Sequence, residues 1–267
     1  MTQMLASVTG AAEAALAIEA GADVVDLKNP ASGALGALPL AVLCEVVAAH
    51  GGRRPLSATI GDLPPEPERV VAAASEVGAT GVDYVKVGLF GTTDESAARL
   101  RTVEALGALA REGVALVGVL MADTAPDFGL VAGLARAGFA GVMLDTERKP
   151  RAGQSRAGRP VGLRAALSDV QLAAFVQTVH EHGLLAGLAG SLAATDVEPL
   201  LALGPDILGF RGALCEGGRG SALSPERMAG VRQAIPLHGS VQRAYQIEWR
   251  ARRERSTHAT AARRGAV

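Results

Sequence analysis

Short runs rich in Val, Ile and Leu alternate with Ala-rich stretches of helical period, and the alternation recurs eight times along the 267 residues. The strand-like runs cover 4–8, 22–28, 56–61, 83–89, 115–121, 141–145, 184–190 and 206–212. The helical stretches cover 10–20, 39–50, 66–78, 93–112, 127–137, 169–182, 195–203 and 225–234. Parallel strands need a crossover of about a helix's length between them, so eight such units in one domain predict an α/β fold, a single (β/α)8 TIM barrel. Thr9, Thr93 and Thr195 stand where N-caps are expected, and Gly21, Gly113, Gly138 and Gly183 stand where helices should end. The alternative, an open doubly wound sheet binding a dinucleotide, lacks the GxGxxG that should follow the first strand. The barrel is expected to occupy residues 1–237.

The last 30 residues, 238–267, break the alternation, with seven Arg and two Glu giving a local charge of +5. Their simplest reading is a basic, disordered extension. A helix around Tyr245 to Arg255 that docks on a neighbouring subunit or an acidic partner remains open, and a homo-oligomer is expected. The whole chain carries a net charge of -1, which gives non-specific nucleic-acid binding no support. The two cysteines, Cys44 and Cys215, form no CxxC pair, and His180 and His182 are spaced so that a helix would point them apart, so neither a disulfide framework nor a metal site is expected. No apolar run reaches the length of a membrane span and the N-terminus lacks a basic signal region, which points to a cytoplasmic protein without a membrane partner.

Of the 26 basic residues, 23 are Arg, and the three lysines are Lys28, Lys86 and Lys149. A salt bridge can use Arg, but only an amine can lose its proton and attack a carbonyl. Strand alternation puts Asp26 and Lys28 on one face of the second strand, and Tyr84, Lys86 and Gly88 on one face of the fourth. Asp145 ends the sixth strand, and Lys149 follows it by four residues in a polar loop. The outward face of a barrel packs on helices, so these charges should point inward, at the strand ends where barrel active sites lie. Each interior layer is filled from alternate strands, so Lys28, Lys86 and Asp145 can share one. Two ammonium groups close together in a dry cavity lower each other's pKa toward the neutral nucleophile that imine formation needs. The structural alternatives are buried lysines paired with a carboxylate for Lys28 and Lys86, and a solvated loop charge for Lys149.

The loops after the seventh and eighth strands read GLAGSLAATD (187–196) and GFRGALCEGGRG (209–220). In barrels these loops often bind phosphate through backbone N–H groups. Gly190, Ser191, Gly209 and Gly212 would allow close backbone approach, and Arg211 could add a bidentate cation.

The blocks DVVDLKNPASGALGA (23–37), SATIGDLP (57–64), DYVKVGLFG (83–91), VMLDT with Lys149 four past its Asp, LAGSL (188–192) and GFRGALC (209–215) resemble one known family over residues 1 to about 236. It is that of the (5-formylfuran-3-yl)methyl phosphate synthases, also called 4-(hydroxymethyl)-2-furancarboxaldehyde phosphate synthases, of methanofuran biosynthesis. The resemblance implies a TIM barrel that condenses two glyceraldehyde 3-phosphate molecules with loss of phosphate and water, without a metal or organic cofactor. It implies that Lys28 is the Schiff-base lysine, that Lys86 is the proton acceptor, and that Asp26, Asp145 and Lys149 are further active-site residues. The stretch after Lys149 lacks the family's DGxSLF-like continuation, and the basic tail has no family counterpart. Two other readings stay open: a different imine-forming aldolase acting on a phosphorylated aldehyde, and a non-catalytic barrel that binds phosphate ligands.

Overall fold

A computed structural model describes residues 1–90, 95–149 and 162–236. Eight parallel strands, β1 (Gln3–Val8), β2 (Val24–Leu27), β3 (Leu56–Thr59), β4 (Tyr84–Gly88), β5 (Leu116–Met121), β6 (Gly141–Asp145), β7 (Leu185–Leu188) and β8 (Ile207–Phe210), pair in chain order and close β8 onto β1. The (β/α)8 barrel read from the alternation is therefore the fold. The basic tail 238–267 lies outside the described residues, as does Thr93. No helix among the described residues is long and apolar enough to cross a membrane.

Strand alternation sorts the apolar residues into two cores. Met4, Ala6, Val8, Val25, Leu27 and their counterparts face outward into one large cluster packed under the helices. Leu5, Val24, Tyr84, Val117, Val119 and Met143 face inward and fill the barrel. The inner set is small because Gly187 leaves its place to a neighbour: a Cβ there would lie 2.4 Å from Met143 Cγ. The lower barrel is thus a packed core, and the charged inward positions are confined to the upper end.

The helices α1 (Ala11–Glu19), α2 (Leu40–His50), α3 (Pro67–Ala79), α4 (Ser96–Arg111), α5 (Leu130–Arg136), α6 (Leu163–Ala166), α7 (Asp169–Glu181), α8 (Val197–Leu201) and α9 (Pro225–Ala234) surround the sheet. The expected glycine stops hold, with Gly21, Gly113, Gly138 and Gly183 at φ between +70° and +98°. The expected caps at Thr9 and Thr195 do not. The N-cap of α1 is Gly10 and that of α8 is Asp196, and neither makes a side-chain cap. Thr9 instead donates its N–H and hydroxyl to Glu13, at 2.8 and 2.9 Å, because that carboxylate also serves a buried arginine. Working caps are Ser168, in a reciprocal box with Gln171, and Ser224, which accepts from the Arg227 N–H ahead of Pro225. The one-turn α6 is too short to leave a periodic signal.

Three even strands begin with the same device. In GAD (21–23), GVD (81–83) and GPD (204–206) the aspartate takes an N–H from the foot of the preceding strand: Met4 to Asp23 at 2.9 Å, Leu56 to Asp83 at 2.8 Å and Ala186 to Asp206 at 2.8 Å. Each aspartate also returns its own N–H to the carbonyl of the same residue. These ties satisfy the last free donors of the ladder where the sheet meets water. At the foot of β2 the Asp23 carboxylate also holds Arg232 of α9 at 2.5 Å, and Arg232 donates further to the carbonyls of Gly21 and Ile235. The last helix is thereby tied to the seam near β1. Because both side chains are nearly buried, Arg232→Ala is expected to lower stability in urea denaturation by roughly 3 kcal/mol. Removal of the exposed Arg69–Glu66 pair should cost under about 1 kcal/mol.

Candidate active site

Register alone assembles the first layer. Ser7 pairs with Asp26 and Asp26 with Ser57, so three polar inward side chains form a row across β1, β2 and β3. Asp26 is fully buried and accepts hydrogen bonds from Ser7 Oγ (2.9 Å), Ser57 Oγ (2.7 Å) and Lys86 Nζ (3.0 Å). Lys86 comes from one layer higher, since Tyr84, two residues earlier, is the partner of Ser57. Burial alone would raise the Asp26 carboxyl, but the Lys86 and Lys28 ammonium groups and the Ser57 hydroxyl hold it below the usual range. The carboxylate is an anchored anion that fixes one amine in place.

The second cluster sits at the mouth. Lys28, one residue past β2, donates its N–H to the Val8 carbonyl and brings Nζ to 3.6 Å from Asp145 Oδ2. The other carboxylate oxygen takes Lys149 Nζ and, at 2.8 Å, the Thr146 N–H. Asp145 thus bridges two lysines, and although burial opposes it, their positive charges hold its carboxyl far below the usual range. Lys28 is pushed the other way, down to about 8. Burial is the main cause; the nearby Lys86 and Lys149 add to it, while Asp145 and Asp26 oppose it. An amine at about 8 has a substantial neutral fraction near neutral pH and is a competent nucleophile. All five expected charged residues, Asp26, Lys28, Lys86, Asp145 and Lys149, are brought together.

Above them opens a cavity of about 620 Å³, lined by Lys28, Lys86, Asp145 and Lys149 on one side and by the loops after β7 and β8 on the other. Gly190, Ser191, Gly209 and Gly212 all lie on its wall. Gly190 stands at φ +112°, and a Cβ there would come within 2.9 Å of Thr146, so only glycine fits between the β6 and β7 loops. Ser191 holds φ +54°, a left-handed conformation that non-glycine residues adopt uncommonly and that recurs at ligand-binding turns.

Arg211 also borders the cavity, but its guanidinium is used elsewhere. Nη1 and Nη2 form a fork on Glu13 at 2.6 and 3.2 Å, and the same group donates to the carbonyls of Ser7, Arg219 and Ser221. The expectation that this side chain clamps phosphate is corrected: every nitrogen already has a protein partner, and binding an anion would break the Glu13 pair. Arg211 instead anchors the loop after β8. That loop carries Arg219, a half-buried cavity-lining residue that sequence reasoning passed over because it lies beyond the last motif block.

The family model described as 4-HFC-P synthase matches residues 4–232. The chain belongs to this family. A relative named (5-formylfuran-3-yl)methyl phosphate synthase in Methanopyrus kandleri is 38% identical over 216 residues, covering 81% of this chain and 90% of its own. One of the same name in Archaeoglobus fulgidus is 32% identical over 247 residues, covering 89% of this chain and all of its own. Among solved structures, 3-hexulose-6-phosphate synthase superposes with a TM-score of 0.57 at 16% identity, covering 88% of this chain and all of that one, a likeness of fold. The protein is thus an enzyme of the 4-HFC-P synthase family.

In this 4-HFC-P synthase family member two further aspartates hold the lysine-bearing loops. Asp62, in the loop after β3, takes the N–H groups of Ala34 and Leu35 on its two oxygens, both at 2.7 Å. Asp123, in the loop after β5, takes those of Glu147 and Arg148 at 2.7 and 2.9 Å. Each carboxylate reaches to the loop of an adjacent strand, one just past Lys28 and the other just ahead of Lys149. A shared signal existed, an aspartate two or three residues past a strand end, but the chemistry-bearing lysines drew the reading away from it. Loss of one such charge-assisted pair exposes two amides, so Asp62→Ala should accelerate hydrogen exchange of Ala34 and Leu35 by roughly tenfold to a hundredfold. Exchange in β5 and β6 should stay unchanged.

Proposed function

We propose that the protein condenses two molecules of glyceraldehyde 3-phosphate into (5-formylfuran-3-yl)methyl phosphate, as a lyase acting through a Schiff base on Lys28 and serving methanofuran-type cofactor biosynthesis. The observation that carries the reading is the pairing of a buried amine held near 8 with a second buried amine and two fixed carboxylates beneath a cavity large enough for phosphorylated trioses. The names of the relatives are in keeping with it.

In this reading the neutral Lys28 amine adds to the aldehyde carbon, and the carbinolamine expels water to leave a protonated imine. Asp145, ion-paired with Lys28 at 3.6 Å, balances that positive charge. The imine accepts the electron pair released when the neighbouring carbon loses its proton. Breaking the carbon–oxygen bond one position further then releases phosphate with its own pair. Lys86, held by Asp26, takes and returns the protons of these steps, and Lys149 stabilises oxyanions at the mouth. The second triose, isomerised to its ketone by proton transfer between its first two carbons, is attacked at the ketone carbon by the resulting nucleophilic carbon. Its terminal hydroxyl closes the ring on the first triose's middle carbon, and two waters are lost to give the furan. Water then hydrolyses the imine to release the formyl group and Lys28. Water is excluded from the lower site by the packed interior, which favours imine over free aldehyde. The glycine-lined wall formed by Gly190, Ser191, Gly209 and Gly212 receives the phosphate that is retained. The reading requires neither a metal nor an organic cofactor.

Borohydride reduction in the presence of glyceraldehyde 3-phosphate should leave a mass adduct on Lys28, and Lys28→Arg should reduce furan formation to background while keeping the fold. An active Lys28→Arg enzyme without any adduct in the wild type would overturn the assignment. The pH dependence gives a second test. Below about pH 8 Lys28 is mostly protonated, so kcat/KM should rise with pH toward that value and level off above it. Asp145 raises the Lys28 pKa, so in Asp145→Asn the rising limb should move to lower pH even as the maximal rate falls.

A further inference from the structure

From the loop after β8 we infer that Arg219 forms a second phosphate subsite, distinct from the glycine-lined wall, on the Lys28 side of the mouth. The inference rests on the reading above, in which two phosphorylated molecules must be bound at once. The loop is rigidly built for a residue that only spans a gap. The Glu216 N–H donates to the Ala222 carbonyl at 3.1 Å, and Cys215 and Leu223 form an antiparallel bridge. Ser221 Oγ accepts from the Gly217 N–H and donates to the Gly218 carbonyl, both at 2.8 Å. The arginine below it, Arg211, donates to the carbonyls of Arg219 and Ser221 at 2.9 Å. From this base Arg219 crosses the mouth and donates Nη2 to the Gly33 carbonyl in the loop after β2, at 2.9 Å.

That hydrogen bond places the guanidinium between the loop that follows Lys28 and the cavity it lines. Among the described residues it has no carboxylate at ion-pair distance and no other hydrogen-bond partner, in contrast with Arg211, whose nitrogens are all engaged. The fork that remains has the geometry for two oxygens of a phosphate dianion. The field favours such a guest as well. Lys28, Lys86, Lys149, Arg219 and Arg227 line the cavity, whereas Asp145 is its one carboxylate among the described lining residues, so a chain with net charge -1 presents a positive mouth. Two subsites follow, a neutral backbone wall after β7 and β8 and a cationic strap toward β2. The strap lies on the side where the imine forms, and the phosphate that departs is better served there, because its charge grows as the bond breaks.

Titration of the full chain with inorganic phosphate, followed by calorimetry and by phosphorus NMR, tests the subsite without relying on imine chemistry. Wild type should bind two equivalents per chain. Arg219→Gln should bind one, or bind the second roughly tenfold to a hundredfold more weakly. Arg219→Lys, which keeps the charge but loses the fork, should fall between them and guards against a misfolded Gln variant. Fewer than two equivalents in wild type, or two of unchanged affinity in Arg219→Gln, would overturn the subsite. Absence of a Lys28 adduct on borohydride reduction would count against the Schiff-base reading and leave the phosphate stoichiometry standing.

Discussion

Asp26 and Asp145 are buried carboxylates at the upper end of a closed sheet, and the arrangement there follows from keeping them charged. A buried carboxylate without partners would take up a proton, so each must be surrounded by donors. Asp26 obtains two hydroxyls from adjacent strands and one ammonium from above. Asp145 obtains two ammonium groups and a backbone N–H. The lysines are bound to these anions by the same need, and their excess of positive charge over the two carboxylates makes the mouth attractive to phosphate. The carboxylate that faces Lys28 is shared with Lys149 and stands at 3.6 Å, so burial outweighs the compensation and the pKa of the Lys28 amine drops.

Closing the sheet also divides labour between two arginines on one loop. Arg211, at the top of β8, is drawn down into a fork on Glu13 and becomes part of the scaffold. Arg219, eight residues later, is thereby held out over the mouth by carbonyls that Arg211 fixes. Sequence proximity to a glycine-rich turn cannot separate these roles, because the acid that captures Arg211 comes from α1, at the other end of the chain.

Much of the fold was open to reading because its signals are local. Strand alternation, Ala-rich crossovers and glycine stops each depend on residues a few positions apart, and the observed strands fall within two residues of the expected ends. The Thr9 cap failed because Glu13 competes for Thr9, a contact set by where Arg211 lies. The lysine scarcity singled out three amines that the closed sheet gathers around two carboxylates at one end of the barrel, since inward-facing charge at a strand end has few other uses. The paired clamps Asp62 and Asp123 escaped notice, as each acts on the backbone of another loop and alters no chemistry of its own.

The amino-acid sequence by itself determined the barrel, the inward face of each strand and the identity of the three amines, because period-two alternation and the need to bury apolar faces leave few alternatives. Its motif blocks determined the family. Tertiary structure alone decided which carboxylate serves which amine, that Asp145 is shared, that Arg211 is spent on Glu13 and that Arg219 spans to Gly33. Those choices depend on distances of a few ångströms between residues up to about two hundred positions apart, and only closure of the sheet brings such residues within reach of one another.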